Sequence, residues 1–172
     1  MLKKSYINIE IDKLTNSIEN AVSGDVFNTE VIKLGKSDFS KIKKTDWLFD
    51  WHYEFIQPGR AVYKLIIQGN KDVIQGLVSL SIEIDHVYMH LIENAKFNKG
   101  KEKVYVGVAG NLVAFVCHFS REHGFDGFVA FDAKTVLVKH YQETLMATHL
   151  RGSRMYIDNV AASRLIKQYF KK

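Results

Sequence analysis

Proline and cysteine are nearly missing from this chain, with one of each in 172 residues. The lone proline, Pro58, and scattered glycines leave no linker, and no internal repeat or low-complexity run is present. One compact domain over residues 1–172, with a sizeable core, is therefore expected. A single cysteine, Cys117, excludes an intrachain disulfide framework and favours a reducing compartment, so the cytoplasm is the expected location. Long apolar runs are missing too. None reaches the length that spans a bilayer, and the opening MLKKSYINIEI lacks the apolar stretch of a signal peptide, so no membrane association is expected. Metal-ligand spacing is also absent. His86 and His90 on a strand would stand roughly 13 Å apart, too far to share an ion. Cys117 and His118 are helical neighbours that point apart, which argues against a Cys-His nucleophile and makes Cys117 a small core residue.

Acidic residues are the scarcer charge, 19 against 24 Lys and Arg, for a formal charge of +5. That balance suits a polyanionic partner without naming one. Lys96, Lys99, Lys101 and Lys103 cluster just before a glycine-bearing stretch, Val104-Tyr-Val-Gly-Val-Ala-Gly-Asn-Leu112. The stretch follows an expected strand, Val87 to Phe97, and opens an expected helix, Val108 to His123, with Gly124 as its stop. A further strand, Gly127 to Ala133, comes next. Strand, glycine turn and helix N-terminus together make an anion cradle, because the unpaired amides of a first helical turn point at one spot. Gly107 and Gly110 let backbone approach a phosphate with no Cβ in between.

Around this unit the pattern reads as α/β (α+β) with a mixed sheet. Ala61 to Gly69 and Asp72 to Ile84 form a hairpin about the turn Gly69-Asn70-Lys71, and Val87 to Phe97 extends it into an antiparallel meander. A β-α-β crossover follows, bringing the strand 127–133 parallel to its predecessor. Helices are expected over Thr135 to Met146 and over VAASRLIKQYF, with a strand RMYIDN between them. At the start, the alternation of Ile7, Ile9 and Ile11 looks like a strand, as does that of Phe27, Thr29 and Val31. LTNSIENAV fits a short helix or an irregular strand. Ser37 is a plausible helix cap, and Trp47, Leu48, Phe49 and Trp51 are expected to be buried.

The order of these elements and their local words resembles the GNAT superfamily of acetyl-CoA-dependent N-acetyltransferases, over about residues 60 to 160. Gly107 and Ala109 match the last two positions of the family's Gln/Arg-x-x-Gly-x-Gly/Ala pattern, and Gly110 follows. His140-Tyr141-Gln-Glu-Thr-Leu-Met-Ala-Thr-His-Leu150 resembles the later motif, in which a tyrosine precedes a Leu-Gly-Phe-like turn. Two departures stand out. Val104 occupies the Gln/Arg position, leaving a phosphate contact to Lys101 or Lys103, and Met146-Ala147-Thr148 lacks the turn's glycine.

The resemblance implies a mixed GNAT-like sheet flanked by helices, splayed beside the strand Met89 to Asn94. Acetyl-CoA as co-substrate would lie along Leu91 and Ile92, with its pyrophosphate over Val106, Gly107, Val108, Ala109, Gly110, Asn111 and Leu112. Strand amides would polarise the thioester carbonyl. A protonated primary amine, with a pKa near 10.4, needs a base before it can attack. Glu93 is the preferred base and Glu83 the reserve; the rival reading of Glu93 is a carboxylate satisfied by neighbouring side chains and loop amides. Tyr141 would protonate the departing thiolate, against the alternative of a packed tyrosine. The acceptor would be a small-molecule or peptide amine. Two other readings stay open: a non-catalytic acyl-CoA-binding module, and a basic nucleic-acid-binding protein, charged tRNA among its possible partners, that stacks bases on Trp47 to Tyr53. The oligomeric state is open, a homodimer included.

Overall fold

The computed structural model describes residues 5–170. Its first third holds β1 (Ile18–Asn20), β2 (Val26–Phe27), β3 (Thr29–Lys33) and a short helix α1 (Trp51–Ile56). The meander follows as β4 (Arg60–Ile67), β5 (Gly76–Ile82) and β6 (Val87–Asn94). After β7 (Tyr105–Val106) come α2 (Val108–Glu122), β8 (Val129–Asp132), α3 (Val138–Leu145), β9 (Thr148–Arg151), β10 (Arg154–Ile157) and α4 (Asn159–Tyr169). Seven strands form one sheet in the order β3-β4-β5-β6-β8-β10-β9, and β2-β1-β7 form a small second one. Among the described strands only β6 and β8 run parallel, so the expected meander and crossover are both present. However, β5 begins at Gly76 and not at Asp72, and residues 68–75 join it to β4 where a tight turn at Gly69-Asn70-Lys71 is expected.

Local chemistry explains the helix ends. Asp50 caps α1 by accepting the Tyr53 amide at 3.0 Å, and the helix stops at Gln57, held extended before Pro58. Asp158 caps α4 through the Ala161 amide at 2.9 Å. Gly107, at φ 92°, turns the chain into α2, and Gly124, at φ 83°, follows its last turn.

Two cores flank the sheet. The larger gathers Val87, Met89, Ile92, Phe131, Tyr141 and the inner sides of α2 and α4. The smaller holds Trp47, Trp51, Val62, Leu77 and Leu91. Leu91 faces the second core because the β5–β6 register slips between Ser79↔Leu91 and Leu80↔Met89, leaving His90 as an extra residue. This bulge inverts the inward-outward phase of the strand's last turn.

Several expectations need correction. Residues 6–11 make no strand of their own; one parallel bridge, Ile7↔Ala133, is all the ladder they form. The strand expected to reach Phe97 ends at Asn94, and Lys96–Asn98 is a 3-10 turn. The expected helix 135–146 begins as a 3-10 turn, Thr135–Leu137. Lys36–Ser40 is likewise a 3-10 turn, capped at Gly35 instead of Ser37. Trp47 and Trp51 are buried, Phe49 is half-buried, and Leu48 is exposed.

Candidate functional site

The β6–β8 ladder runs from Val87↔Val129 to Met89↔Phe131 and ends at the His90 bulge. Beyond it β6 continues with β5 as its ladder partner, and the sheet opens into a cleft. Residues 7 to 15 run through the gap beside β8. The Ile7 amide donates to the Asp132 carbonyl at 2.7 Å, and the Lys134 amide donates to the Ile7 carbonyl at 2.9 Å. Two residues on, the Ile9 amide donates to Tyr141 Oη at 3.0 Å, and that hydroxyl donates to the Ile9 carbonyl. The Ile11 amide donates to His140 Nε2 at 2.8 Å.

The segment then crosses the glycine turn. Asp12 Oδ1 accepts the Gly107 amide at 3.1 Å, and Asp12 Oδ2 meets Lys103 Nζ at 3.0 Å. Past it, Tyr169 Oη donates to the Lys13 carbonyl at 3.1 Å, and Gln168 Nε2 donates to the Leu14 carbonyl at 2.8 Å. A Cβ built on Gly107 would lie 2.4 Å from Thr15 Cγ2, and one on Gly110 would lie 2.0 Å from Tyr169 Oη. The two glycines permit a close approach, as the sequence suggests. What approaches is the chain's own carboxylate, threonine and tyrosine.

Tyr141 is fully buried, edge-on to Phe131 at 5.7 Å. Burial pushes its hydroxyl up to about 12, the Ile9 backbone opposing and Glu10 adding to the rise, so it keeps its proton at neutral pH. Glu93 is buried and hydrogen-bonded throughout. It accepts the Leu48 amide at 2.7 Å, the Phe49 amide at 3.2 Å, Trp51 Nε1 at 2.9 Å and Lys99 Nζ at 2.6 Å. Four donors on two oxygens anchor the loop before α1, and they occupy the lone pairs a base would use. Glu83 lies in the β5–β6 turn, at the closed end of the sheet.

The remaining expected contacts divide. Lys103 and Gly107 meet at the Asp12 carboxylate. Lys101 is exposed on the preceding loop, and Val106 pairs with Glu19 in the small sheet. Val108, Ala109 and Leu112 point into the main core, and Asn111 reaches Thr29. Leu91 and Ile92 pack into opposite cores, leaving only their backbone to the cleft. Lys99 and Lys103 sit in ion pairs, and both tryptophans are buried, so the surface a nucleic acid would use is reduced.

Between the segment and β6 a cavity of about 280 Å³ remains, lined by Ile9, Glu10, Phe49, Ile92, Asn94 and Lys103. Asn94 is buried, and its Oδ1 has no hydrogen-bond partner among the described residues. A buried acceptor left open in this way carries a desolvation cost that a bound donor would remove. Sequence reasoning overlooked Asp12, Asn94, His140 and Tyr169. The last two sit on amphipathic helices, where only the contact with a segment 129 to 154 residues earlier marks them, and the spacing carries no such signal.

No protein-family model and no curated protein matches this chain. Solved structures do. A structure of the KacTA–DNA complex aligns over 81% of this chain and 99% of its own, with a TM-score of 0.54 and 13% identity. A spermidine N-acetyltransferase SpeG chimera from Vibrio cholerae and hSSAT covers 79% and 98%, at TM-score 0.52 and 15% identity. The ribosomal-protein-S18-alanine N-acetyltransferase of Escherichia coli covers 75% and 90%, at TM-score 0.50 and 11% identity. The chain has a GNAT-like fold.

Proposed function

We propose that this protein is an N-acyltransferase that takes an acetyl group from acetyl-CoA, bound in the cleft between β6 and β8, and transfers it to an amine. One observation carries the reading. The cleft holds an anion, the Asp12 carboxylate, on the Gly107 amide and Lys103, and three residues away it holds the amide and the carbonyl of Ile9 on Tyr141. A diphosphate joined to an amide-bearing pantetheine arm offers the same two chemistries in the same order.

Each residue then has a role. The Gly107 amide and Lys103 bind the diphosphate. Asn94 Oδ1 accepts an amide N–H of the arm, relieving its open acceptor. Tyr141 stays protonated at neutral pH and donates a hydrogen bond to the departing thiolate, which takes its proton from solvent water because its thiol has a pKa of only about 8.5. Deprotonation of the amine runs through water, because Glu93 is engaged by four donors. Lys99, whose side chain is exposed, is the contact whose release would open one lone pair of Glu93 Oε2, an oxygen that still accepts the Leu48 amide, to take that proton instead. The acceptor is a small-molecule or peptide amine. The neighbours' names make spermidine and a peptide with N-terminal alanine sensible members of a test panel.

Titration with CoA, followed by acetyl transfer assays across that panel, tests the reading. Saturable binding with transfer is the expected result. Binding with neither transfer nor thioester hydrolysis would reduce the protein to an acyl-CoA-binding module, and no binding at all would reject the site.

A further inference from the structure

We propose that residues 7–15 are an intramolecular stand-in for the acyl donor: they occupy its track, and the donor enters only as they leave. The inference rests on the reading of the cleft as an acyl-CoA site and adds its regulation.

The segment's contacts fall on the groups that a donor would need. Tyr141 Oη is saturated by the amide and carbonyl of Ile9, so it has no proton to offer a thiolate while the segment is in place. The Asp12 carboxylate sits on the Gly107 amide and Lys103, where a diphosphate would bind. Thr15 Cγ2 and the Ser17 carbonyl press against Gly107, lying 2.4 Å and 3.2 Å from where its Cβ would be, so nothing thicker fits between. Two occupants of one set of donors and acceptors exclude each other.

The way the segment is held makes release feasible. Its ladder with the sheet is a single bridge at Ile7, and from Ile9 onward several of its backbone groups are bonded to side chains of α3 and α4. Side-chain anchors can be lost one at a time, without unzipping a strand. Ile7 and Ile11 are buried, however, and their exposure opposes release. Donor affinity is therefore reduced by the fraction of molecules in which the segment is already out.

Hydrogen exchange on the wild-type chain, with and without CoA, gives the first test. CoA should speed exchange of the Ile7, Ile9 and Ile11 amides, which are now bonded to Asp132, Tyr141 and His140. The second test is CoA affinity in Asp12→Ala and in Ile9→Pro/Asp12→Ala, which remove the carboxylate and the Tyr141-bound amide. Loss of a charge-assisted contact should tighten CoA binding about tenfold or more. CoA bound with those amides still protected, or bound no more tightly by the variants, overturns the stand-in and leaves the acyl-CoA site intact. If neither the wild type nor the double variant binds CoA, the acyl-CoA reading and the stand-in both fall.

Discussion

The Asp12 carboxylate accepts the Gly107 amide at 3.1 Å across 95 residues of sequence, so the glycine turn grips an anion supplied by its own chain. Gly107 is itself doubly constrained. Its φ of 92° disfavours any side chain, and Thr15 fills the space a side chain would need.

Gly107→Ala should cost about 2–4 kcal/mol, combining left-handed backbone strain with overpacking against Thr15 Cγ2. Adding Thr15→Ser removes the methyl and should return about 1 kcal/mol, leaving the backbone share in place. Urea unfolding of both single variants and the double variant measures this coupling. Strictly additive losses would mean that the methyl is not what Gly107 accommodates.

Glu93 gives a second prediction. Glu93→Ala leaves the Leu48 and Phe49 amides and Trp51 Nε1 without their acceptor, and should cost about 3 kcal/mol. Lys99→Ala removes only the exposed partner and should cost well under 1 kcal/mol. A Glu93→Ala protein that melts like the wild type yet loses transfer activity would restore Glu93 as a dedicated base.

How much of this was readable in advance follows the range of the contacts. The helix from Val108, the turn at Gly107 and the crossover to Val129 rest on local periodicity and turn chemistry, and they stand where the sequence puts them. Residues 6–11 mislead because alternating isoleucines read as a strand. Two of those isoleucines are indeed buried, but beyond Ile7 the backbone bonds go to Tyr141 and His140, 132 and 129 residues away. Three of the four partners of Glu93 lie 42 to 45 residues upstream, in a loop and the first residue of α1, where no local pattern dictates the shape. The edge strand Thr148–Arg151 is exposed at all four positions and gives no alternation to detect.

Met146 illustrates a departure that the structure explains. It caps α3 at φ 55°, in the left-handed region that glycine adopts most readily, at the start of the Met146-Ala147-Thr148 stretch that holds no glycine. The side chain is 46% exposed, so little packing offsets the strain. Met146→Gly should stabilise the fold by about 0.5–1 kcal/mol, the strain relieved exceeding glycine's entropic cost. A rise in melting temperature of about 2 °C would be its sign. An unchanged or lower melting temperature would mean that Met146 packs better than its exposure suggests.

His90, the bulge residue, sets a pH dependence. Its Nε2 meets Ser81 Oγ at 2.7 Å and its ring stands edge-on to Tyr88 at 4.6 Å. Burial, helped by the Arg60 charge, lowers its pKa to about 4. In the unfolded chain the imidazole titrates near 6.5, so between those values the unfolded state binds the proton more readily. Stability from this group is therefore complete above about pH 6.5 and declines as pH falls toward 4, by about 2 kcal/mol once solvent screening is allowed for. His90→Gln keeps a hydrogen-bonding group for Ser81 but cannot titrate. Carboxylates also destabilise the fold in acid. Asp38 is one, since burial tends to raise its pKa but Lys64 and the Gly35 amide hold it low. Only the difference between wild type and variant isolates the histidine. Unfolding free energies at pH 7.5, 6 and 5 should show the wild type losing ground to His90→Gln as pH drops, and parallel curves would place the imidazole in contact with water.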